Sequence, residues 1–197
     1  IIGINAVKPE ERGFSAAVNI NDEQGSTLAA RHLIALGHRN IAYISTDRGV
    51  SLSFSVKSRF NVFCDCCRKE GIEPQIVVCK VDHDGHYQIG DVVTQLMSLP
   101  QMPTAIACQE DGIALPLLFQ LERNGFAVPG DISLIGYDDS FYTNDIGLTT
   151  IRQDPAEMAR TAARMTLDLI QGHELSPAFV DVPAQLVVRS STASVRH

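Results

Sequence analysis

An α/β fold on a doubly wound, mainly parallel sheet is what this sequence predicts, and three features carry the prediction. Short branched runs recur that are apolar on consecutive positions: IAYI (41–44), QIVVC (75–79), TAIAC (104–108) and ISLI (132–135). Strands buried on both faces read this way, because helices cover each side of a parallel sheet. The stretches between them show helical apolar periodicity and end in glycine, proline or Asn-Gly. The two patterns alternate regularly, as strand–helix–strand units require.

In chain order, Ile1–Asn5 reads as a strand, followed by a Pro/Glu/Gly loop, and Ala16–Ile20 as a second strand. A helix is expected over Gln24–Leu36, with Leu28, Ala29, His32, Leu33 and Leu36 on one face and Gly37 as its stop. Asn21-Asp22 should end the strand before it and start that helix. The strand Ile41–Ile44 leads to a helix over Ser55–Glu70, whose Val56, Phe60, Phe63 and Cys67 share a side. Gln75–Cys79, a helix over His86–Leu99 closed by Pro100, and the strand Thr104–Cys108 continue the alternation. Gly112–Arg123 should be helical up to Asn124-Gly125, with Asp111 as its N-cap, and Ile132–Ile135 a strand.

The pattern loosens over 138–148. A short strand, Thr149–Arg152, then precedes a long helix over Pro155–Ile170, capped by Asp154 with Pro155 in its first turn. Two short strands, Ala178–Val182 and Gln185–Val188, close the pattern, and the final SSTASVRH is expected to fray. The doubly wound domain is therefore expected over roughly 16–145, with both flanks belonging to a second, incomplete lobe. Ligands of such sheets bind outside the carboxyl ends of the strands, where Asp138 and Asp139 follow the strand ISLI.

Composition narrows the function. The 197 residues are 45% hydrophobic and 20% charged, as in ordinary soluble globular domains, and no apolar run approaches the roughly 18 residues of a membrane span. With 16 Lys and Arg against 23 Asp and Glu, the net charge is -7, which disfavours direct binding of a phosphate backbone. The opening IIGIN has no charged leader and no initiator methionine, so the chain is expected to begin within a fold rather than at a signal peptide. Five cysteines, three of them in FCDCC, fit reduced thiols of a cytoplasmic protein better than a disulfide framework. Cys64, Cys66 and Cys67 with His83 or His86 match no zinc spacing, so no metal and no cofactor is expected. No HExxH, Walker A or GxSxG pattern supports an enzyme.

Six segments resemble the effector-binding part of LacI/GalR-type bacterial transcription regulators: RHLIALGHRNIAYIS (31–45), VKSRFNVF (56–63), PTAIACQEDGIAL (103–115), VPGDISLIGYDDS (128–140), LTTIRQD (148–154) and VPAQLVVRSST (182–192). They occur in the family's order over essentially the whole chain. The resemblance implies a periplasmic binding protein-like type I fold, the second lobe complete and the first truncated. It divides the chain into a first-lobe remnant and crossover (1–15), a second lobe (16–147) and a return segment contributing to the first lobe (148–197). It implies a non-enzymatic sensor that binds a sugar-like metabolite, forms a homodimer, and reaches operator DNA only through a helix-turn-helix domain not among these residues. A periplasmic-type solute-binding protein for sugar uptake is the alternative.

The same resemblance assigns effector contacts to Asp138, Arg59, Glu110, Gln153 and Ser55. A carboxylate at 138 suits the neighbouring donors of a polyol, and the guanidinium fork at 59 suits paired hydroxyls or a carboxylate. Glu110 stands where the family commonly has asparagine; it cannot donate as an amide does, so an amine or another hydroxyl arrangement is favoured. Asp139 should cap the following turn, and His32 and His38 should be structural. Val62, Pro116, Gly147 and Ala159 depart from the family's usual residues and weaken any transfer of a particular sugar.

Overall fold

The computed structural model describes residues 1–5, 14, 16–47 and 54–195. The loop expected after Asn5 lies outside the described residues. Among the described residues the elements are, in order, β1 (Ile2–Ile4), β2 (Ala16–Ile20), α1 (Asp22–Ala35), β3 (Ile41–Thr46), α2 (Phe54–Lys69), β4 (Gln75–Cys79), α3 (Ile89–Met97), β5 (Ala105–Cys108), α4 (Asp111–Arg123), β6 (Ser133–Ile135), α5 (Thr143–Ile146), β7 (Thr150–Arg152), α6 (Pro155–Ile170), β8 (Phe179–Val182) and β9 (Gln185–Val187).

The larger sheet is parallel throughout, in the order β4-β3-β5-β6. β3 and β5 alternate between two cores, whereas the edge strand β4 buries only Val77 and Cys79 and leaves Ile76 and Val78 exposed, because helices cover only one of its faces. Ile41 and Tyr43 of β3 and Ala105 and Ala107 of β5 face α1 and α2, while Ala42, Ile44, Ile106 and Cys108 face α3 and α4. Tyr43 meets Phe60 and Phe63 of α2 at ring-centroid distances of 5.6 and 5.0 Å. Complete burial of a side chain such as Phe63 stabilises the fold by about 1.5–3 kcal/mol. Helices on both faces of a parallel sheet are the doubly wound arrangement expected. The strand order reverses direction at β3, flanked by β4 and β5, which places a crevice at the carboxyl ends of β3 and β5.

The sheet boundary differs from the sequence reading. β2 pairs in parallel with β1 and β8, so the strand expected to open the second lobe belongs to the smaller sheet, and the change of sheet falls after Ile20. Helical pattern and strand pattern are local and carry no pairing information, so the partner of β2 could not be read from them. α6 packs on this smaller sheet through Met158, Ala162 and Met165. The end of the chain differs as well: β7 and β9 pair antiparallel with each other, and only β8 of the return segment joins the smaller sheet.

Residues 190–195 run beside β6 rather than fraying. β6 is an edge strand whose unpaired backbone groups need partners. The Leu134 N–H donates to the Ser191 carbonyl at 2.7 Å, and the Ser191 hydroxyl donates to the Leu134 carbonyl at 2.6 Å and accepts from the Thr149 N–H at 2.8 Å. His38, 2% exposed, ties the same segment down through its Nε2 contact with the Ala193 carbonyl at 3.0 Å and its Nδ1 contact with Thr104 at 3.0 Å. Burial holds the imidazole below its usual pKa. The structural role expected of His38 is what these bonds describe, and His32 makes a similar bond to Thr192 at 2.9 Å.

Candidate functional site

The site grows from the turn that follows β6. Asp138 and Asp139 both take positive φ, 110° and 56°, a region that costs a non-glycine residue roughly 1–3 kcal/mol and is kept where surroundings enforce it. The Asp138 N–H donates to the Ile151 carbonyl at 2.8 Å, anchoring the turn to β7. The consequence is that the two adjacent carboxylates face different surroundings. Asp139 receives Arg189 at 2.7 Å, Arg152 at 2.6 Å and the Thr143 hydroxyl at 2.9 Å. Despite its partial burial, those cations hold it below the usual carboxylate range. It is an ion-pair hub joining β7 to the C-terminal segment, a larger task than the turn cap expected of it.

Asp138 faces the crevice. Its Oδ1 accepts from Arg59 Nη1 at 3.2 Å and from the Gln153 amide. Arg59 leaves the buried face of α2, and its Nε donates to Asp22 at 2.7 Å, both side chains being 8% exposed. A second bond runs from Arg59 Nη1 to the Gln109 carbonyl at 3.3 Å, at the end of β5. The guanidinium carbon lies 3.9 Å above the centroid of the Tyr137 ring, a cation–π arrangement. Burial opposes the positive charge, but Asp22, Tyr137 and Asp138 more than offset it and raise Arg59 above its ordinary pKa. Desolvation pushes Asp138 the other way, up to about 7; Arg59 opposes the rise, and the negative charges of Asp111 and Glu110 add to it.

Two glycines make this approach possible. A Cβ on Gly25 of α1 would stand 2.2 Å from the Tyr137 hydroxyl, so glycine lets α1 close over the ring on which Arg59 rests. A Cβ on Gly136 would stand 2.1 Å from Asp111 Oδ1. Asp111 is fully buried and accepts from the Ser140 N–H and the Thr150 hydroxyl, each at 2.8 Å. It is the first helical residue of α4, with Glu110 at the N-cap position, so the capping role expected of Asp111 is replaced by a staple between α4 and the turn after β6. Pro116 is the sixth residue of that helix and forfeits one backbone bond there.

Glu110 makes no capping bond of its own. Its Oε1 accepts from the Tyr87 hydroxyl at 2.8 Å and from Gln109 Nε2 at 3.3 Å. Ser55 donates to Asp22 Oδ2, the oxygen not used by Arg59. Asp22 and Ser55 also line a cavity of about 210 Å³ shared with Asn5, Asn19, Glu23 and Asp181, on the side of the smaller sheet. All five residues singled out from the sequence are thus linked through Arg59 and its partners. Asp22 and Tyr137 were missed as site residues: Asp22 reads locally as a helix-start residue, which it also is, and Tyr137 as the end of an apolar run. The cysteines considered for a metal do not converge on His86: Cys64 and Cys67 are buried in α2, whereas His86 is exposed. Among the described residues one group of metal-type donors, the half-buried Asp82 with the exposed Asp84 and His86, occurs in the β4–α3 loop, where Asp82 Oδ1 already accepts the Asp84 and His86 N–H groups.

Residues 30–192 match the periplasmic binding protein-like domain family. The chain is 30% identical to a LacI transcriptional regulator from a Rhodococcus species whose crystal structure superposes with a TM-score of 0.84, covering 100% of this chain and 70% of that one. The chain belongs to the periplasmic binding protein-like family, among its LacI-type regulators. It is 28% identical, with a TM-score of 0.81, to a LacI family regulator from Enterococcus faecium solved with bound ribose, covering 99% of this chain and 71% of that one. Among curated relatives, the HTH-type transcriptional regulator GalR of Escherichia coli (strain K12) is 32% identical over 197 residues, 97% of this chain. The alignment covers 54% of GalR, so the chain spans about half the length of the curated relatives it matches.

Proposed function

We propose that this chain is the effector-sensing domain of a bacterial DNA-binding transcription regulator, and that a small sugar-like metabolite binds where Arg59, Asp138 and Gln153 meet. The observation that carries the reading is the arginine: a guanidinium buried over Tyr137, fixed by Asp22, and aimed at Asp138 at the carboxyl ends of β5 and β6. The buried Arg59–Asp22 pair is costly to assemble and weak as a stabiliser, so its presence beside a cavity that Asp22 lines fits recognition better than fold maintenance. Arg59 Nη2 takes no bond among the described residues and is available to a ligand hydroxyl, with Asp138, Gln153, Glu110 and Ser55 as further donors and acceptors. In this reading 16–147, less β2, forms one wall of the effector cleft, and β1, β2 and β8 form the floor of the other.

Binding acts by biasing closure of one lobe on the other, which changes the spacing of DNA-binding heads in a homodimer in the cytoplasm. Operator contact belongs to a helix-turn-helix domain outside these residues. The regulator reading is preferred to sugar uptake because the relatives quoted above are regulators. No helix among the described residues is long and apolar enough to cross a membrane. The site is read as one for binding and not catalysis: Asp138 and Asp139 diverge into separate partners, leaving no cooperating acid–base pair.

A thermal-shift screen of sugars, sugar phosphates and nucleobases against the wild-type chain and Arg59→Ala tests this. A polar metabolite that stabilises only the wild type supports the sensor. Ligands that stabilise both equally place binding elsewhere and refute the assignment.

A further inference from the structure

The charge around Arg59 is unbalanced. Asp22 satisfies the guanidinium through Nε at 2.7 Å, so Asp138, at 3.2 Å, approaches an arginine that is already paired. Glu110 adds a third carboxylate at the N-terminus of α4 and, among the described residues, meets no cation, only the Tyr87 hydroxyl and the Gln109 amide. The adjoining cavity continues the trend. Asp22, Glu23 and Asp181 line it with asparagines and serines, and no lysine or arginine stands among its described lining residues.

Two acceptors are left over. The Oδ2 of Asp138 and the Oε2 of Glu110 take no hydrogen bond from any described residue, whereas the Oδ1 and Oε1 beside them are used. Burial pushes Asp138 up to about 7; Arg59 opposes the rise, and the negative charges of Asp111 and Glu110 add to it. A neutral polyol can donate hydroxyls there but leaves the surplus charge buried beneath it. An ammonium supplies both donors and charge, and charge-assisted hydrogen bonds are roughly twice as strong as neutral ones. An amide at position 110 would carry no charge and would itself donate, so the carboxylate is what turns this site toward a cation.

Resting on the sensor reading above, we propose that the effector is a polyhydroxylated molecule bearing a protonated amine, an amino sugar by chemical class, with its ammonium taken by Glu110 and Asp138 and its hydroxyls by Arg59 and Gln153. The asymmetry between a cation-deficient half, at Glu110 and Asp138, and the arginine half then orients the ligand.

Calorimetric titration at neutral pH with three matched pairs, glucose and glucosamine, galactose and galactosamine, mannose and mannosamine, decides it on the wild-type chain, Glu110→Gln and Asp138→Asn, each first checked by circular dichroism for a native spectrum. The expected result is an amino sugar that binds at least about tenfold more tightly than its neutral parent. That preference should shrink by about tenfold in Glu110→Gln and weaken as salt is raised. A neutral sugar that binds as tightly as its amino counterpart, with binding lost in Asp138→Asn, overturns the ammonium and leaves the sensor intact. An amino sugar whose preference is unchanged in Glu110→Gln overturns the assignment of its ammonium to this carboxylate. Folded protein that binds none of the six overturns the amino-sugar class, and the broader screen with Arg59→Ala then judges the sensor on its own.

Discussion

Asp138 is one residue asked to do two incompatible things: lie in a partly desolvated crevice and carry a charge. Its folded pKa of about 7 against an ordinary value of 3.8 means that, between those limits, the folded protein holds a proton the unfolded chain has released. Its contribution to stability is therefore present at low pH, declines as pH rises from about 4 to about 7, and stays lost above. Asp138→Asn removes the titration, so this variant should show a shallower fall in Tm over that window and a higher Tm than wild type at alkaline pH. Identical pH profiles for the two proteins would contradict the desolvated placement. Gly25 is the steric counterpart of this site. Alanine there drives a methyl into the Tyr137 hydroxyl, and overpacking of this kind costs about 1–3 kcal/mol. Urea denaturation should record that loss, and effector affinity should fall with it, because the ring under Arg59 must shift. A Gly25→Ala protein as stable as wild type would show that Tyr137 is free to move.

Among the elements, strands and helices were legible where the signal is local. The apolar run QIVVC and the helix starting at Pro155 coincide with β4 and α6, since burial pattern, proline placement and the Asp154 cap all lie within a few residues. What sequence reading missed depended on distant partners. SSTASVRH carries few large apolar side chains and looks like a free tail, yet residues 190–195 of it lie against the edge of β6. The site was legible in the same divided way: Arg59 and Asp138 stood out by resemblance, whereas Asp22, 37 residues before Arg59, could be recognised only once α1 and α2 were packed together. Ser191→Ala deletes the hydroxyl that serves the Thr149 N–H and the Leu134 carbonyl. Each buried group left unpaired costs about 1–3 kcal/mol, so chemical denaturation should register a loss of at least about 1 kcal/mol. No change would mean that 190–195 is not held against β6. Helix α2 offers an element-level test through its thiols. Burial pushes Cys64 up to about 11 and Cys67 up to about 12, and Cys79 and Cys108 are raised by burial as well. A thiol reagent should therefore modify only the half-buried Cys66 quickly in the native protein and all five after denaturation. Several fast thiols in the native state would contradict the packing of α2 and β4.

At the scale of the molecule, two parallel sheets share one continuous apolar core on the α1/α2 side and are crossed by the β2–α1 connection, the β6–β7 turn and the C-terminal segment. The ion pairs of Asp139 with Arg152 and Arg189 tie two of these crossings together directly beside Asp138. A ligand between the sheets can thus reach the crossings without an extended relay. The outer face of α6 carries Arg160 and Arg164, but its last turn exposes apolar side chains: Leu167 and Ile170, one turn apart, are 57% and 75% exposed. Contiguous exposed apolar surface favours association. Static light scattering of the chain should show mass rising with concentration, and Leu167→Glu with Ile170→Glu should suppress the rise; a dilution-insensitive monomer would contradict it. Whether Arg59 and Asp138 form the effector contact of a sensor is decided by calorimetry of the metabolite that gives the largest thermal shift, titrated into wild type and Asp138→Ala. Saturable binding to the wild type at one site per chain is expected, with at least about a tenfold loss in a folded Asp138→Ala protein. Equal affinity in the two proteins would contradict it.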